Sequence, residues 1–340
     1  MKKKKRQYNT SRIRFWFWLI LVLLLFLAAC MAPYFLRHDP FEVNLLQVNK
    51  APGNGYLMGT DYLGRCIFCR LLKGAARSIF AALAVVLITF VIGTAVGSIC
   101  GYIGGMFDTL VMRFVDAVQA FPQLVFTISV AAMLGTGIGN CIIAMSAVGW
   151  TSYARLARSK VLQIKEKTYV SFARISGAGR TKILFRTILP NSLTPLIVEA
   201  SMHIGNAILG FSGLSFLGLG TAPPYPEWGT MLNDGKQSFQ TAPWTVLYPG
   251  LAIFLVVVIM GMFGDSVNAL IRKKKDNQKH EREKEIEREK KNECEKKRNS
   301  TSLCGSHGAW STRRLRRNKT GGRKRNRKSR SRIGRNQKCR

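Results

Sequence analysis

Long charge-free apolar runs alternate with short basic stretches along most of this 340-residue chain. Phe15 to Leu36 has no charge in 22 residues, Ser78 to Phe107 has none in 30, and Ala117 to Ala154 has none in 38. About 20 apolar residues suffice for a helix to cross a bilayer, so each run is long enough, and the third is long enough for two. The sequence GTGIGN at Gly135 to Asn140 divides that third run as a turn between helices. Further on, Leu193 to Gly220 is apolar apart from Glu199 and His203, and Val246 to Gly264 is uncharged. The pattern predicts an all-α polytopic membrane protein with six transmembrane helices.

One interruption is patterned differently. In the loop 158–191, Val161, Ile164, Thr168, Phe172 and Ile175 recur at steps of three or four, which predicts one amphipathic helix from Ser159 to Ser176. Gly177 stands where a helix end needs a left-handed residue, and Gly179 loosens the same corner. Thr181 is then placed to cap a second helix presenting Ile183, Leu184, Ile188 and Leu189 and meeting Pro190 at the membrane. A helix, a glycine elbow and a helix make a knob that can seat a small apolar face in a partner's groove.

Charge fixes the orientation. The formal charge is +34, but residues 1–14 hold seven basic side chains and no acid, and residues 272–340 hold 28 basic and 8 acidic ones. Nucleic-acid binding calls for basic charge on a folded face, whereas here it lies mainly at two ends flanking apolar spans. With the N-terminus inside, inner segments before the tail hold seventeen Lys and Arg residues against seven outside, so both termini are expected in the cytoplasm. The domains expected are a basic N-terminus (1–14), a transmembrane domain (15–271) and a basic, disordered tail (272–340). Within the transmembrane domain lie outer loops 37–77 and 221–245 and the inner loop 158–191. Two readings fit the N-terminus: a first span, or a lipoprotein signal ending at Cys30, with 22 apolar residues favouring the span.

Three ordered motifs carry a family resemblance. Ala173, Gly177, Leu189, Pro190 and Asn191 stand at the spacing of the cytoplasmic coupling loop of ABC-importer permeases. Gly59-Thr60-Asp61-Tyr62-Leu63-Gly64-Arg65 resembles the first outer loop of the second permease subunit in dipeptide, oligopeptide and nickel importers. Leu214 to Gly220, followed by Pro223-Pro224 and Glu227-Trp228-Gly229, resembles the end of that subunit's fifth span and its last outer loop. Four positions depart from the family pattern: Ser171 replaces a frequent glutamate, Cys66 and Cys69 replace an aspartate and a serine, and Phe211 replaces a span-five glutamate.

The resemblance implies half of a translocation path paired with a homologous permease in a heterodimer. It also implies two cytoplasmic ATPases coupled through Ser171, Ala173, Gly177, Ala178, Gly179, Leu184, Leu189, Pro190 and Asn191, and an external binding protein bringing peptide or, as the alternative, nickel. Membrane lipid is the remaining partner, and no nucleic acid is expected. No cofactor, catalytic residue or metal ligand is expected, and the sequence holds no Gly-x-x-x-x-Gly-Lys-Ser/Thr phosphate loop and no His-Glu-x-x-His pair. A second class of function, a membrane-anchored nucleic-acid-binding protein acting through its tail, would lose its activity on deletion of residues 276–340, where a permease would keep transport.

Other residues have bland and functional readings. Gly93, Gly97 and Gly101 lie four apart and predict close helix packing. Cys66 and Cys69 read as incidental thiols rather than a metal or redox pair. His203 falls roughly 15 Å into the fifth span and Glu199 about 9 Å, a costly depth for ionisable groups unless they pair or face water. Both are therefore candidates for the translocation path, with His203 expected to bond to a neighbouring helix and Glu199 to a basic residue.

Overall fold

The computed structural model describes residues 2–31, 38–53 and 55–308. Residues 32–37, which include the end of the first expected span, and residues 309–340 of the tail lie outside them. The chain divides into two units, Met1–Ile271 and Arg272–Arg340.

The first unit is helical, with only two isolated β-bridges among its described residues. Helices α1 (Lys2–Met31), α2 (Ile67–Ile103), α3 (Gly105–Gln119), α4 (Gln123–Leu134) and α5 (Ile138–Lys165) come first. Then follow α6 (Thr168–Ile175), α7 (Arg180–Ile183), a π-turn (Leu184–Ile188), α8 (Leu189–Phe216), α9 (Trp228–Gly235) and α10 (Trp244–Gly308). Among the described residues, three stretches are long and apolar enough to cross a membrane: Ser11–Met31, Ile67–Ile103 and Trp244–Lys273. The pair α3–α4 qualifies as a fourth only if taken as one span bent by 89°. Helices α5 and α8, at 28 residues each, have the length to span but are more polar.

These elements correct the expected boundaries. Helix α2 starts at Ile67 rather than Ser78 and, at 37 residues, is about 55 Å long at 1.5 Å per residue, well beyond the hydrocarbon thickness. Its first turns therefore accommodate Arg70, Lys73 and Arg77, which the charge pattern assigned to a loop. The third span is not one straight helix, because Pro122 at the start of α4 has no N–H to continue α3. Gly135 (φ +85°) and Gly137 (φ +145°) make the expected turn between α4 and α5.

Helices α2 and α5 pack against each other through the small-residue stripe. A Cβ added to Gly93 would stand 2.5 Å from Tyr153 Cβ, one on Gly101 would meet the Arg158 carbonyl oxygen at 3.0 Å, and Gly97 lies tighter still against the Ala154 backbone. Such contact compensates for the missing hydrophobic drive between helices in lipid. Next to the stripe, Arg158 forks onto the buried Asp108 of α3, donating from Nε at 2.6 Å and Nη2 at 2.7 Å, which pairs a carboxylate that burial alone would disfavour. A larger core joins α1, α2, α8, α9 and α10 through Val22, Ile79, Val86, Ile208, Trp228 and Met260.

In the second unit, α10 runs on to Gly308 through the tail expected to be disordered. Acidic and basic residues alternate at helical spacing, as in the Glu287–Lys291 pair at 3.5 Å, and a solvated helix of this kind needs no core.

Candidate functional site

The loop 158–191 has a core of its own. Val161, Val170, Ile183, Leu184 and Ile188 are buried together, with Tyr102, Ile164, Ala173 and Ala178 packed against them. The expected single helix from Ser159 is two: α5 ends at Lys165 and α6 begins at Thr168, so Val170 and Ala173 turn inward. Thr168, Phe172 and Ile175, expected on the apolar stripe, face solvent instead. Phe172 is 65% and Ile175 81% exposed, and Tyr169 and Phe185 are exposed with them. The periodicity had merged an inward and an outward face into one.

The elbow is a Schellman motif. Gly177 has φ +78°, its N–H donates to the Arg174 carbonyl at 3.1 Å, and the Ala178 N–H donates to the Ala173 carbonyl at 3.1 Å. Ala173 and Ala178, the residues flanking that six-to-one bond, both pack on the loop core. Gly179 is extended (φ −60°, ψ 150°) and precedes α7, which begins at Arg180; Thr181 lies inside α7 and does not cap it. Nor does the second helix stop at Pro190. The π-turn closes with Leu189 N–H donating to the Leu184 carbonyl, and this wider turn lets the chain pass the proline into α8. Asn191 donates from Nδ2 to the Thr187 carbonyl at 2.6 Å, while Ser171 is exposed.

The motifs around Asp61 and Glu227 meet at α9. Asp61 closes a turn by accepting from the Leu63 and Arg65 N–H groups at 2.9 Å each, with Gly64 at φ +73° against Asn44. Its other oxygen accepts from Arg65 Nε at 2.7 Å and lies 3.6 Å from Arg70 Nε. Both arginines also reach Asp234 of α9, at 3.4 and 3.7 Å. Two cations thus offset two carboxylates in a largely buried cluster. Burial pushes Asp234 above the usual carboxylate range against the pull of Arg70 and Arg65.

Glu227 is fully buried. It caps α9 by accepting from the Gly229 and Thr230 N–H groups at 3.0 and 3.2 Å, and it also accepts from Ser78 Oγ of α2 at 3.2 Å. Its carboxyl is raised by burial, partly offset by these bonds. Trp228 donates from Nε1 to the Leu71 carbonyl at 2.9 Å, while Pro223 and Pro224 stay exposed. Cys66 and Cys69 are buried beside this cluster, and the Cys66 thiol is raised first by its bond to Cys69 and then by burial.

Between α2, α4, α5 and α8 lies a cavity of about 310 Å³ bordered by Gln123, Thr127, Ser152, Tyr153, His203 and Asn206. His203 enters it from α8, with Nε2 3.1 Å from Glu199 Oε1 on the same helix and its ring edge-on to Tyr153 at 5.2 Å. The expected bond to a neighbouring helix is thus replaced by an i, i+4 pair, which is also the partner of Glu199. Tyr153 is 1% exposed, and its hydroxyl has no hydrogen-bond partner among the described residues. Met202 points elsewhere, with Asn268 Nδ2 4.0 Å from its sulfur. No group of three or more His, Cys, Asp or Glu side chains that could hold a metal occurs among the described residues.

Residues 93–277 match the family described as the binding-protein-dependent transport system inner membrane component. The chain belongs to this family. It is a multi-pass membrane permease subunit. A dipeptide transport system permease protein of Haemophilus influenzae is 39% identical over 254 residues, covering 73% of this chain and 86% of that protein. A glutathione transport system permease protein of Pectobacterium atrosepticum is 40% identical over 228 residues, covering 67% and 76%. A solved inward-facing MetNI methionine ABC transporter aligns at 18% identity and TM-score 0.48, covering 59% of this chain and 95% of that one.

The permease motifs legible in sequence were the elbow, Asp61 with Arg65, and Glu227 with Trp228. Asp234, Ser78, Tyr153 and Asn206 were missed. Asp234 was readable only as an unpaired acid opposite a basic outer loop, and the other three carry no local signal, because their roles arise from contacts across helices.

Proposed function

We propose that this permease forms half of the path of an ATP-driven importer carrying di- and oligopeptides delivered by an external binding protein. It pairs with a homologous permease and is driven by two cytoplasmic ATPases. Helices α1, α2, the bent α3–α4 pair, α5, α8 and α10 are its six spans, with both termini inside, in keeping with the distribution of Lys and Arg.

The observation that carries this reading is the exposed apolar face of Tyr169, Phe172, Ile175 and Phe185 on a knob with its own core. Burying each such side chain is worth about 1.5–3 kcal/mol, enough for a partner to hold the knob. The knob is joined directly to α5 and, through the π-turn, to α8. Both helices border the cavity, so a push on the knob is delivered to the walls of the path. Polar side chains including Gln123, Thr127, Ser152 and Asn206 share that lining with apolar ones such as Val85 and Leu214, which suits weak, sequence-tolerant contact with peptide groups and leaves the cargo free to move on. The names of the relatives, dipeptide and glutathione permeases, support the same cargo class.

Phe172→Asp with Ile175→Asp tests the knob. The variant is expected to insert normally, to lose its ATPase subunits on purification and to abolish uptake. An assembled variant with full uptake would remove the knob from the mechanism.

A further inference from the structure

A second cavity, of about 490 Å³, lies where the loop meets the inner end of α2, and it takes no part in the proposed path. Tyr102, Ile103, Lys165, Arg174, Arg180 and Ile183 border it. Three cations thus surround one space, and no carboxylate among the described residues lines it. Lys165 is held there by donating to the Tyr102 carbonyl at 2.7 Å, with its ammonium 5.7 Å from the Tyr102 ring. Arg174 and Arg180 are exposed and have no ion-pair partner among the described residues. Each guanidinium therefore keeps its donor fork free, the geometry that matches phosphate oxygens in pairs. Ile103 is 61% exposed at the rim and adds an apolar surface beside the charges.

We infer that this cavity binds a phosphate group, supplied by the headgroup of an anionic phospholipid of the inner leaflet. Basic pockets at the cytoplasmic ends of spanning helices suit such headgroups, and the apolar rim at Ile103 suits an acyl chain better than a soluble ion. A headgroup bridging Lys165, Arg174 and Arg180 ties the end of α5 to α6 and α7 across the Gly177 elbow. Anionic lipid then stiffens the element through which the ATPases push. The inference rests on the inward orientation of the loop proposed above.

The test uses the assembled importer in bilayers of phosphatidylcholine containing phosphatidylglycerol, with native mass spectrometry reading the phosphatidylglycerol that stays bound. Arg174→Gln with Arg180→Gln should retain it roughly tenfold less than the wild type, since two headgroup contacts are lost. Lys182→Gln with Arg186→Gln removes the same charge from the loop outside the cavity and should retain it fully. Arg174→Lys with Arg180→Lys, which keeps the charge, should retain an intermediate amount and guards against misfolding of the glutamine variant. Equal retention by the two glutamine pairs overturns the site. Displacement of the lipid by inorganic phosphate overturns the lipid source in favour of a soluble anion. Labelling of Ser176→Cys from each side in a cysteine-free background reports the orientation separately, so its failure is distinguishable from loss of the lipid.

Discussion

Replacing Gly177 separates backbone strain from packing, because a Cβ built there meets nothing within 4 Å. The whole cost then comes from φ +78°. For an L-residue the left-handed region costs roughly 1–2 kcal/mol, Asn pays less, and a β-branched side chain pays more. Every 1.4 kcal/mol is about tenfold in an equilibrium, so Gly177→Val should depopulate the Schellman elbow by tenfold or more relative to competing loop conformations. Gly177→Asn should change it only a few-fold. The assay is ATP-driven uptake together with transport-stimulated ATP hydrolysis by the reconstituted importer, with surface expression measured alongside. The expected order of uptake is Gly, then Asn, then Ala, then Val, at unchanged insertion. Full transport by Gly177→Val, or an Asn variant as defective as the Val variant, would refute the elbow as the rigid element.

Three further outcomes follow from other parts of the chain. Burial raises the Glu227 carboxyl above its ordinary 4.5, so its contribution to stability is full below that value and is lost as pH rises through the folded value; Glu227→Gln should flatten this part of the pH dependence of the melting temperature, and an unchanged slope would contradict the burial argument. Gly97→Ala should lower the melting temperature by overpacking α2 against α5, at a cost of about 1–3 kcal/mol, whereas Gly261→Ala, where the added Cβ meets nothing within 4 Å, should hold or raise it; equal effects would refute the close packing. Cysteines placed at Lys165 and Lys236 should label from opposite sides of the membrane with an impermeant reagent, and labelling from one side would sink the six-span reading.

Much of this fold was legible because lipid imposes its pattern over whole helices. Charge-free runs gave the membrane class, and the four-residue glycine spacing gave a close helix contact on α2, though not that α5 makes it. The elbow was legible at Gly177 for a local reason, since only a few residues accept a positive φ. What was not legible depends on partners distant in sequence. Phe172 and Val170 are both apolar, and only the break after Lys165 decides that Val170 is the buried one. Pro190 signals a stop, but a π-turn, unseen in any local propensity, lets the helix continue. His203 was conspicuous by depth, yet its partner four residues away on the same helix and the Tyr153 ring on α5 emerged only from packing.

Uptake in cells lacking this chain shows whether it carries peptide cargo through an ATP-coupled path. Labelled peptides of two to five residues are compared with nickel supplied free and with histidine. Peptide uptake should be lost in those cells, the intact chain should restore it, Gly177→Val should fail to, and nickel uptake should be unchanged throughout. Loss of nickel uptake alone, reproduced by His203→Ala with peptide uptake intact, would contradict a peptide cargo.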